Sequence, residues 1–268
     1  MNRIMMNGVG GMLGKAFYEE FKNDYTILAT DKDVNESWLQ LLDFRDKDRY
    51  QEMASDFQPD YIFHIGAHTS LEYCEENKDD CYLTNTISVQ HAIEIANQFS
   101  IPLVFISTAG IFDGEKDLYD DWDTPNPLGH YARSKVVSER LIQDTCKQYF
   151  ICRAGWMMGG GIEKDKKFIG KIIRQISAGT EVLKIVNDKD GTPTYTVDFA
   201  RNVKELVNNN AYGIYNLVCG GETSRLEVAK ELLICLNRED IQIQEVASNF
   251  FSEEYFAARP RSERLVNY

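Results

Sequence analysis

Short apolar runs rich in β-branched and aromatic residues recur along the chain, separated by longer stretches in which apolar positions return every three or four residues. Met1 to Met6, Tyr25 to Thr30, Tyr61 to Gly66, Leu103 to Ile106, Tyr149 to Gly155, Val182 to Val186 and Gly213 to Val218 read as strands. Lys15 to Phe21, Glu72 to Phe99, a long segment from Tyr131 to Gln148, Val197 to Asn208 and Arg225 to Leu236 read as helices. Ser224 caps the last of these, with Glu227 three residues on completing a capping box. Strands that are apolar throughout, alternating with helices, predict an α/β protein built on a doubly wound parallel sheet covered on both faces. Two stretches break the pattern. Asn35 to Met53 is charged and irregular, and Asp113 to Pro127 is a loop rich in Asp, Gly and Pro, long enough to carry a function.

The first strand runs through Asn7-Gly8-Val9-Gly10-Gly11-Met12-Leu13-Gly14 straight into a helix. Gly8, Gly11 and Gly14 are spaced G-x-x-G-x-x-G. Such a turn lets a pyrophosphate lie against backbone N–H groups at the positive end of the helix, so Gly8, Gly11, Met12, Leu13 and Gly14 are candidate contacts to a dinucleotide. Asp31 closes the second strand, where its carboxylate can accept hydrogen bonds from an adenosine ribose. It would repel a 2′-phosphate, which favours NADH slightly; neighbouring Lys32 offsets part of that repulsion and leaves NADPH open. Asp43, followed by Phe44, can approach the adenine, while the charge run Arg45 to Arg49 reads as a solvated helix face. Gly66 and Ala67 end the third strand and let a nicotinamide ribose lie close, with His68 and Thr69 adding polar contacts. Residues 1–155 are thus expected to form a Rossmann-like NAD(P)-binding domain. Residues 156–268 mainly form a smaller C-terminal substrate-binding lobe, with segments around 195–220 returning to the first domain.

The fourth strand ends in Ser107-Thr108, a hydroxyl pair either bonded within the sheet or facing an active site. Tyr131 and Lys135 lie four apart at the start of a helix, hence on one face with Cβ atoms about 5–6 Å apart. An ammonium beside a phenol favours the phenolate and lowers its ordinary value of about 10. Such a tyrosine can give a proton to a carbonyl oxygen or take one from an alcohol. The basic stretch Ile162 to Gln175 suits either a diphosphate or solvent.

The balance of 42 acidic against 29 basic residues, a formal charge of -13, argues against nucleic acid or an anionic membrane surface as partner. It leaves room for a nucleotide held by local N–H groups. The sequence has no apolar run of membrane-spanning length and no secretory leader pattern. Its six cysteines are scattered without C-x-x-C spacing, as in a reduced, cytoplasmic protein, and no ligand cluster suggests a metal.

Taken together, these residues resemble the extended short-chain dehydrogenase/reductases, and within them the RmlD-like sugar-nucleotide branch typified by dTDP-4-dehydrorhamnose reductase. Gly8-x-x-Gly11-x-x-Gly14 matches the nucleotide turn, Tyr131-x-x-x-Lys135 the catalytic pair and Thr108 the catalytic hydroxyl. Ala67-His68-Thr69, Pro127-Leu128 before Tyr131, and Asn187-Asp188-x-x-Gly191-x-Pro193-Thr194 match the reductase branch. The resemblance implies that Asn85 lies behind the cofactor and that Trp156, following Arg153, lines the pocket with Thr69, Arg153 and Pro193 as candidate substrate contacts. It further implies that Tyr131 protonates a 4-keto oxygen, Lys135 tunes Tyr131 and holds the cofactor ribose, and Thr108 orients the carbonyl of a nucleotide-activated deoxysugar. Two departures stand out. Ala109-Gly110 replaces the usual Asp-Tyr after Ser-Thr, making that wall smaller and less polar. In the C-terminal Arg-Pro-x-x-Ser-x-Leu signature, Arg259, Pro260 and Leu265 fit, but Glu263 occupies the serine position. Rival expectations are an epimerase or dehydratase of the same superfamily and a non-catalytic dinucleotide-binding regulatory subunit; a homodimer is compatible with each.

Overall fold

The computed structural model describes residues 1–267. In chain order the strands are β1 (Arg3–Asn7), β2 (Thr26–Asp31), β3 (Leu39–Leu41), β4 (Tyr61–His64), β5 (Leu103–Thr108), β6 (Tyr149–Ala154), β7 (Trp156–Met158), β8 (Val182–Val186), β9 (Asp190–Gly191), β10 (Pro193–Tyr195), β11 (Gly213–Asn216), β12 (Thr223–Ser224), β13 (Gln242–Val246) and β14 (Ser262–Glu263). The α-helices are α1 (Gly14–Phe21), α2 (Lys47–Phe57), α3 (Leu71–Glu76), α4 (Lys78–Tyr82), α5 (Ser88–Phe99), α6 (His130–Thr145), α7 (Phe168–Ser177), α8 (Thr196–Asn208) and α9 (Arg225–Cys235). Seven strands form one sheet in the order β11-β6-β5-β4-β1-β2-β3, every pairing parallel. The chain leaves β1 toward β2 and β3, then returns to β4 on the other side. This reversal opens a crevice at the carboxyl ends of β1 and β4, the place where open α/β sheets bind ligands. Asn7 pairs with both Thr30 and His64, so Gly8, Asp31 and Gly66 emerge at one edge.

The continuous apolar character of the central strands follows from burial on both faces. Phe63 and Val104 face a core shared with Phe17 and Phe21 of α1 and Phe199 and Val203 of α8. Ile62 and Phe105 face another with Tyr50 of α2, Ile93 of α5 and Ile142 of α6. A separate cluster, Ile172, Leu183, Ile185, Ala229, Leu233 and Ile241, holds α7, α9, β8 and β13 together as the smaller lobe. The Ser224–Glu227 capping box opens α9. No helix among the described residues is long and apolar enough to cross a membrane.

Two readings of the sequence are corrected. Asn35 to Met53 is not irregular throughout: it contains β3 and the start of α2, whose sparse apolar positions, Tyr50, Met53 and Ala54, are those that are buried. Glu72 to Phe99 is not one helix. It breaks at Asn77, whose backbone leaves the helical region, and passes through a π-helical turn at Leu83–Ile87 before α5. The C-terminal stretch supplies β13 and then β14, and the Asp113 to Pro127 loop is tied to it by a bridge between Tyr119 and Leu265.

His64, at the end of β4, is buried beside Ser88 at 3.1 Å. The Ser88 hydroxyl donates to Thr84 O, so the imidazole Nε2 donates to Ser88. Burial, with Lys135 and His91 adding to it, lowers His64 from 6.5 to about 3. The unfolded chain therefore binds the extra proton first. Stability from this group is complete above about 6.5 and declines as pH falls toward about 3. In His64→Gln, unfolding titrations across that window are expected to lose the corresponding one-proton slope.

Candidate active site

The glycine turn is shaped by close backbone approach. Gly8 has φ +77°, and a Cβ there would stand 2.1 Å from Gly66 Cα; one on Gly14 would stand 1.8 Å from the Val9 carbonyl oxygen. A Cβ on Gly11 would meet nothing within 4 Å. The fold thus dictates Gly8 and Gly14, whereas Gly11 leaves an open stretch of backbone at the start of α1. That is a cradle fit for an anionic group. Leu13 is buried next to Gly14, and the Met12 carbonyl lies against Gly160. Asp31 Oδ2 accepts from Gly10 N at 2.8 Å, and its Oδ1 from Asp33 N at 2.9 Å, so the strand-end carboxylate also anchors the turn.

On the opposite wall, Phe44 packs on Gly66, where an added Cβ would stand 2.4 Å from its ring. The segment after Gly66 and Ala67 is pinned by Asn85 in the π-helical turn. Its Oδ1 accepts from His68 N at 2.8 Å, and its Nδ2 donates to His68 O at 3.0 Å and Ser134 Oγ at 3.1 Å. Asn85 is buried and acts from behind this wall. His68 Nε2 lies 2.7 Å from Asp80, which Arg45 joins to Asp43. The Arg45 hydrogen bond holds the Asp43 carboxyl below its ordinary range. Thr69 is bonded through its hydroxyl and carbonyl to Lys167 Nζ, at 2.9 and 3.0 Å.

Thr108 ends β5, with its Oγ1 accepting from Gly110 N at 3.1 Å. Tyr131 and Lys135 project from the first turns of α6. Burial raises the Tyr131 phenol above its ordinary value, and the nearby Thr108 hydroxyl opposes the rise. The lysine-lowered phenol expected from spacing is therefore corrected: burial sets the direction, and Cys74, Glu263 and Cys81 add to it. Lys135 is itself buried, with Nζ 4.2 Å from the centre of the Phe105 ring, and burial pushes it down to about 7 against the pull of Glu139.

Arg153 does not face the crevice. It is buried in a bidentate pair with Glu139, at 3.1 and 2.8 Å, and donates to Asp121 O at 3.1 Å. An arginine at a strand end reads as an anion ligand, but this one ties β6 to α6. Arg153→Met is expected to cost about 3–5 kcal/mol by stranding the Glu139 charge, read as a lower denaturant midpoint. Trp156 and Pro193 pair in register between β7 and β10. The indole lies on the bare backbone of Gly191 and carries the Arg225 guanidinium on its face at 3.7 Å. Burial lowers Arg225 to about 10, with Glu263 opposing. Lys167, Arg225 and Glu263 gather here although sequence reasoning did not select them. Lys167 lay in the basic stretch and Glu263 in the altered signature; Arg225 gave no signal beyond its helix.

A doubly wound sheet with its glycine turn at the reversal and a Tyr-x-x-x-Lys helix after β5 places the protein among the extended short-chain dehydrogenase/reductases, a class of NAD(P)-dependent oxidoreductases. Within that class the chain belongs to the RmlD substrate binding domain family, whose pattern matches residues 1–268. It is 28% identical, over 97% of its length and 87% of the relative's, to the spore coat polysaccharide biosynthesis protein SpsK of Bacillus subtilis. It is also 28% identical to methionine adenosyltransferase 2 subunit beta of Danio rerio, over 84% of this chain and 71% of that one. A solved dTDP-4-dehydrorhamnose reductase of Bacillus anthracis in complex with NADP superposes with a TM-score of 0.91 at 27% identity, covering 100% of this chain and 92% of that one.

Proposed function

We propose that this protein uses NAD(P)H to reduce the 4-keto group of a nucleotide-activated deoxysugar, as the name of the Bacillus anthracis relative suggests. The observation that carries the reading is the approach of the Thr108 hydroxyl at the end of β5 to the Tyr131 phenol, with Lys135 one helical turn further along α6. Gly8, Gly11, Met12, Leu13 and Gly14 would hold the diphosphate of the cofactor, and Asp31 its adenosine ribose, favouring NADH. Asp43 and Phe44 flank the adenine side; Gly66, Ala67 and His68 flank the nicotinamide side, and Asn85 holds that wall. When bound, the reduced nicotinamide supplies the hydride. Thr108 donates to the carbonyl oxygen and orients it. Tyr131, kept protonated by burial, gives its proton to that oxygen as negative charge develops there. Lys135 donates to the cofactor ribose hydroxyls, and Thr69, Trp156 and Pro193 border the sugar. The reaction suits a cytoplasmic protein, as a monomer or homodimer.

Incubation with a 4-keto nucleotide sugar tests the reading: one equivalent of NADH or NADPH is oxidised for each alcohol formed. Product without net oxidation would indicate an epimerase or dehydratase. The likeness to a protein named as an adenosyltransferase subunit motivates a second reading, a regulatory dinucleotide-binding subunit, which predicts cofactor binding without turnover. Gly11→Ala separates cofactor binding from folding. Its Cβ meets no protein atom within 4 Å, so thermal stability is expected to hold, while calorimetry shows NADH affinity lowered about tenfold as a backbone–phosphate hydrogen bond is lost.

A further inference from the structure

The C-terminal segment delivers one side chain to the pocket that the proposed reaction does not use. Glu263 of β14 pairs with Gly191 of β9, the residue on whose backbone the Trp156 indole lies. The indole Nε1 donates to Glu263 Oε2 at 2.6 Å and fixes the carboxylate. Its other oxygen, Oε1, accepts no hydrogen bond among the described residues. A point one Cβ out from Gly110 is 3.5 Å from Oε1 and 3.5 Å from Thr108 Oγ1. The bare Gly110 thus opens a gap with the Thr108 hydroxyl on one side and a free carboxylate oxygen on the other. In this chain the wall after Thr108 is only Ala109 and Gly110, and a carboxylate arrives across the gap. Its charge reaches Tyr131, whose phenol it helps to raise, and it is offset by Arg225 on the indole face.

A sugar seated in this gap removes water from Oε1. Leaving a charged acceptor without a donor is costly, and sites built around such groups reject ligands that cannot supply one. A carbonyl oxygen held by Thr108 and Tyr131 brings the neighbouring carbon of the ring, and the group on it, toward Oε1. We propose that Glu263 is a specificity-determining residue whose Oε1 accepts a hydrogen bond from a hydroxyl or amino group on the sugar carbon next to the reacting carbonyl. The pocket thereby selects nucleotide deoxysugars that carry such a donor over those with hydrogen there. This inference rests on the reductase reading of the site and deepens it.

The selection is read from binding, which requires no turnover, so it is judged separately from reductase activity. Calorimetry with saturating NADH compares three nucleoside diphosphate 6-deoxyhexoses that already carry a 4-hydroxyl and so cannot be reduced there, bearing hydroxyl, amino or hydrogen at carbon 3. The wild-type protein is expected to bind the first two about 10- to 100-fold tighter than the third. Glu263→Ser reduces that preference to less than about threefold, the residue of a lost charged acceptor. Glu263→Gln keeps its one amide oxygen on the Trp156 indole and turns its NH2 to the gap, so it keeps a preference for the hydroxyl sugar, whose oxygen can accept, and loses most of that for the amino sugar, whose ammonium cannot. An equal loss of affinity for all three sugars in Glu263→Ser would mean that Glu263 only seats Trp156, and would overturn the proposal. So would a preference unchanged by the substitution.

Discussion

Replacing Tyr131 with phenylalanine is expected to lower kcat for NAD(P)H-dependent sugar reduction by about 10²- to 10⁴-fold, the range spanned by positioned proton donors. The substitution keeps the ring that packs at the start of α6 and removes only the hydroxyl. Stability and cofactor binding should therefore change little, and KM far less than kcat. The argument depends on the phenol's environment. Burial holds it above its ordinary value, so it is protonated at neutral pH and suited to give a proton to a carbonyl oxygen. Steady-state kinetics of both proteins on one 4-keto sugar decide the matter, and a Tyr131→Phe protein with full turnover would remove Tyr131 as the acid.

The second large effect concerns the fold beneath the site. Gly14→Ala places a methyl 1.8 Å from the Val9 carbonyl oxygen and 2.3 Å from its carbon, atoms of the same tight turn that cannot rotate away. Either α1 moves off β1 or the turn opens; both disturb the core in which Phe17 and Phe21 of α1 pack against Phe63. Overpacking of this kind costs about 3 kcal/mol, which for a chain of this size lowers Tm by about 6–12 °C. Thermal unfolding of Gly14→Ala beside Gly11→Ala provides the internal contrast: the two glycines lie three apart in one motif, and only one is demanded by packing. A Gly14→Ala protein as stable as wild type would contradict the helix–strand contact described here.

What the sequence reveals of this protein is what local chemistry encodes. The glycine turn, the apolar strands β1, β4, β5 and β6 and the Tyr131–Lys135 spacing all sit within one or two elements, and their patterns carry over directly to the fold. Features that depend on partners far along the chain are not legible in the same way. Arg153 is an internal tie because Glu139 comes from α6, and nothing near Arg153 in sequence announces that partner. The Tyr131 phenol is raised because burial, a property of the whole fold, exceeds the opposing effect of the Thr108 hydroxyl. The break at Asn77 and the π-helical turn that aims Asn85 at His68 lie inside a stretch whose apolar spacing suits one continuous helix. Glu263 reaches the pocket only through the pairing of β14 with β9, across more than seventy residues of chain.

The most direct test of the central claim uses NADH deuterated at the transferable position of the nicotinamide, with a 4-keto nucleotide deoxysugar as acceptor. The account predicts an alcohol product carrying one deuterium on the former carbonyl carbon for each cofactor oxidised. A product without deuterium, or formed without net oxidation of the cofactor, would contradict direct hydride reduction at this site.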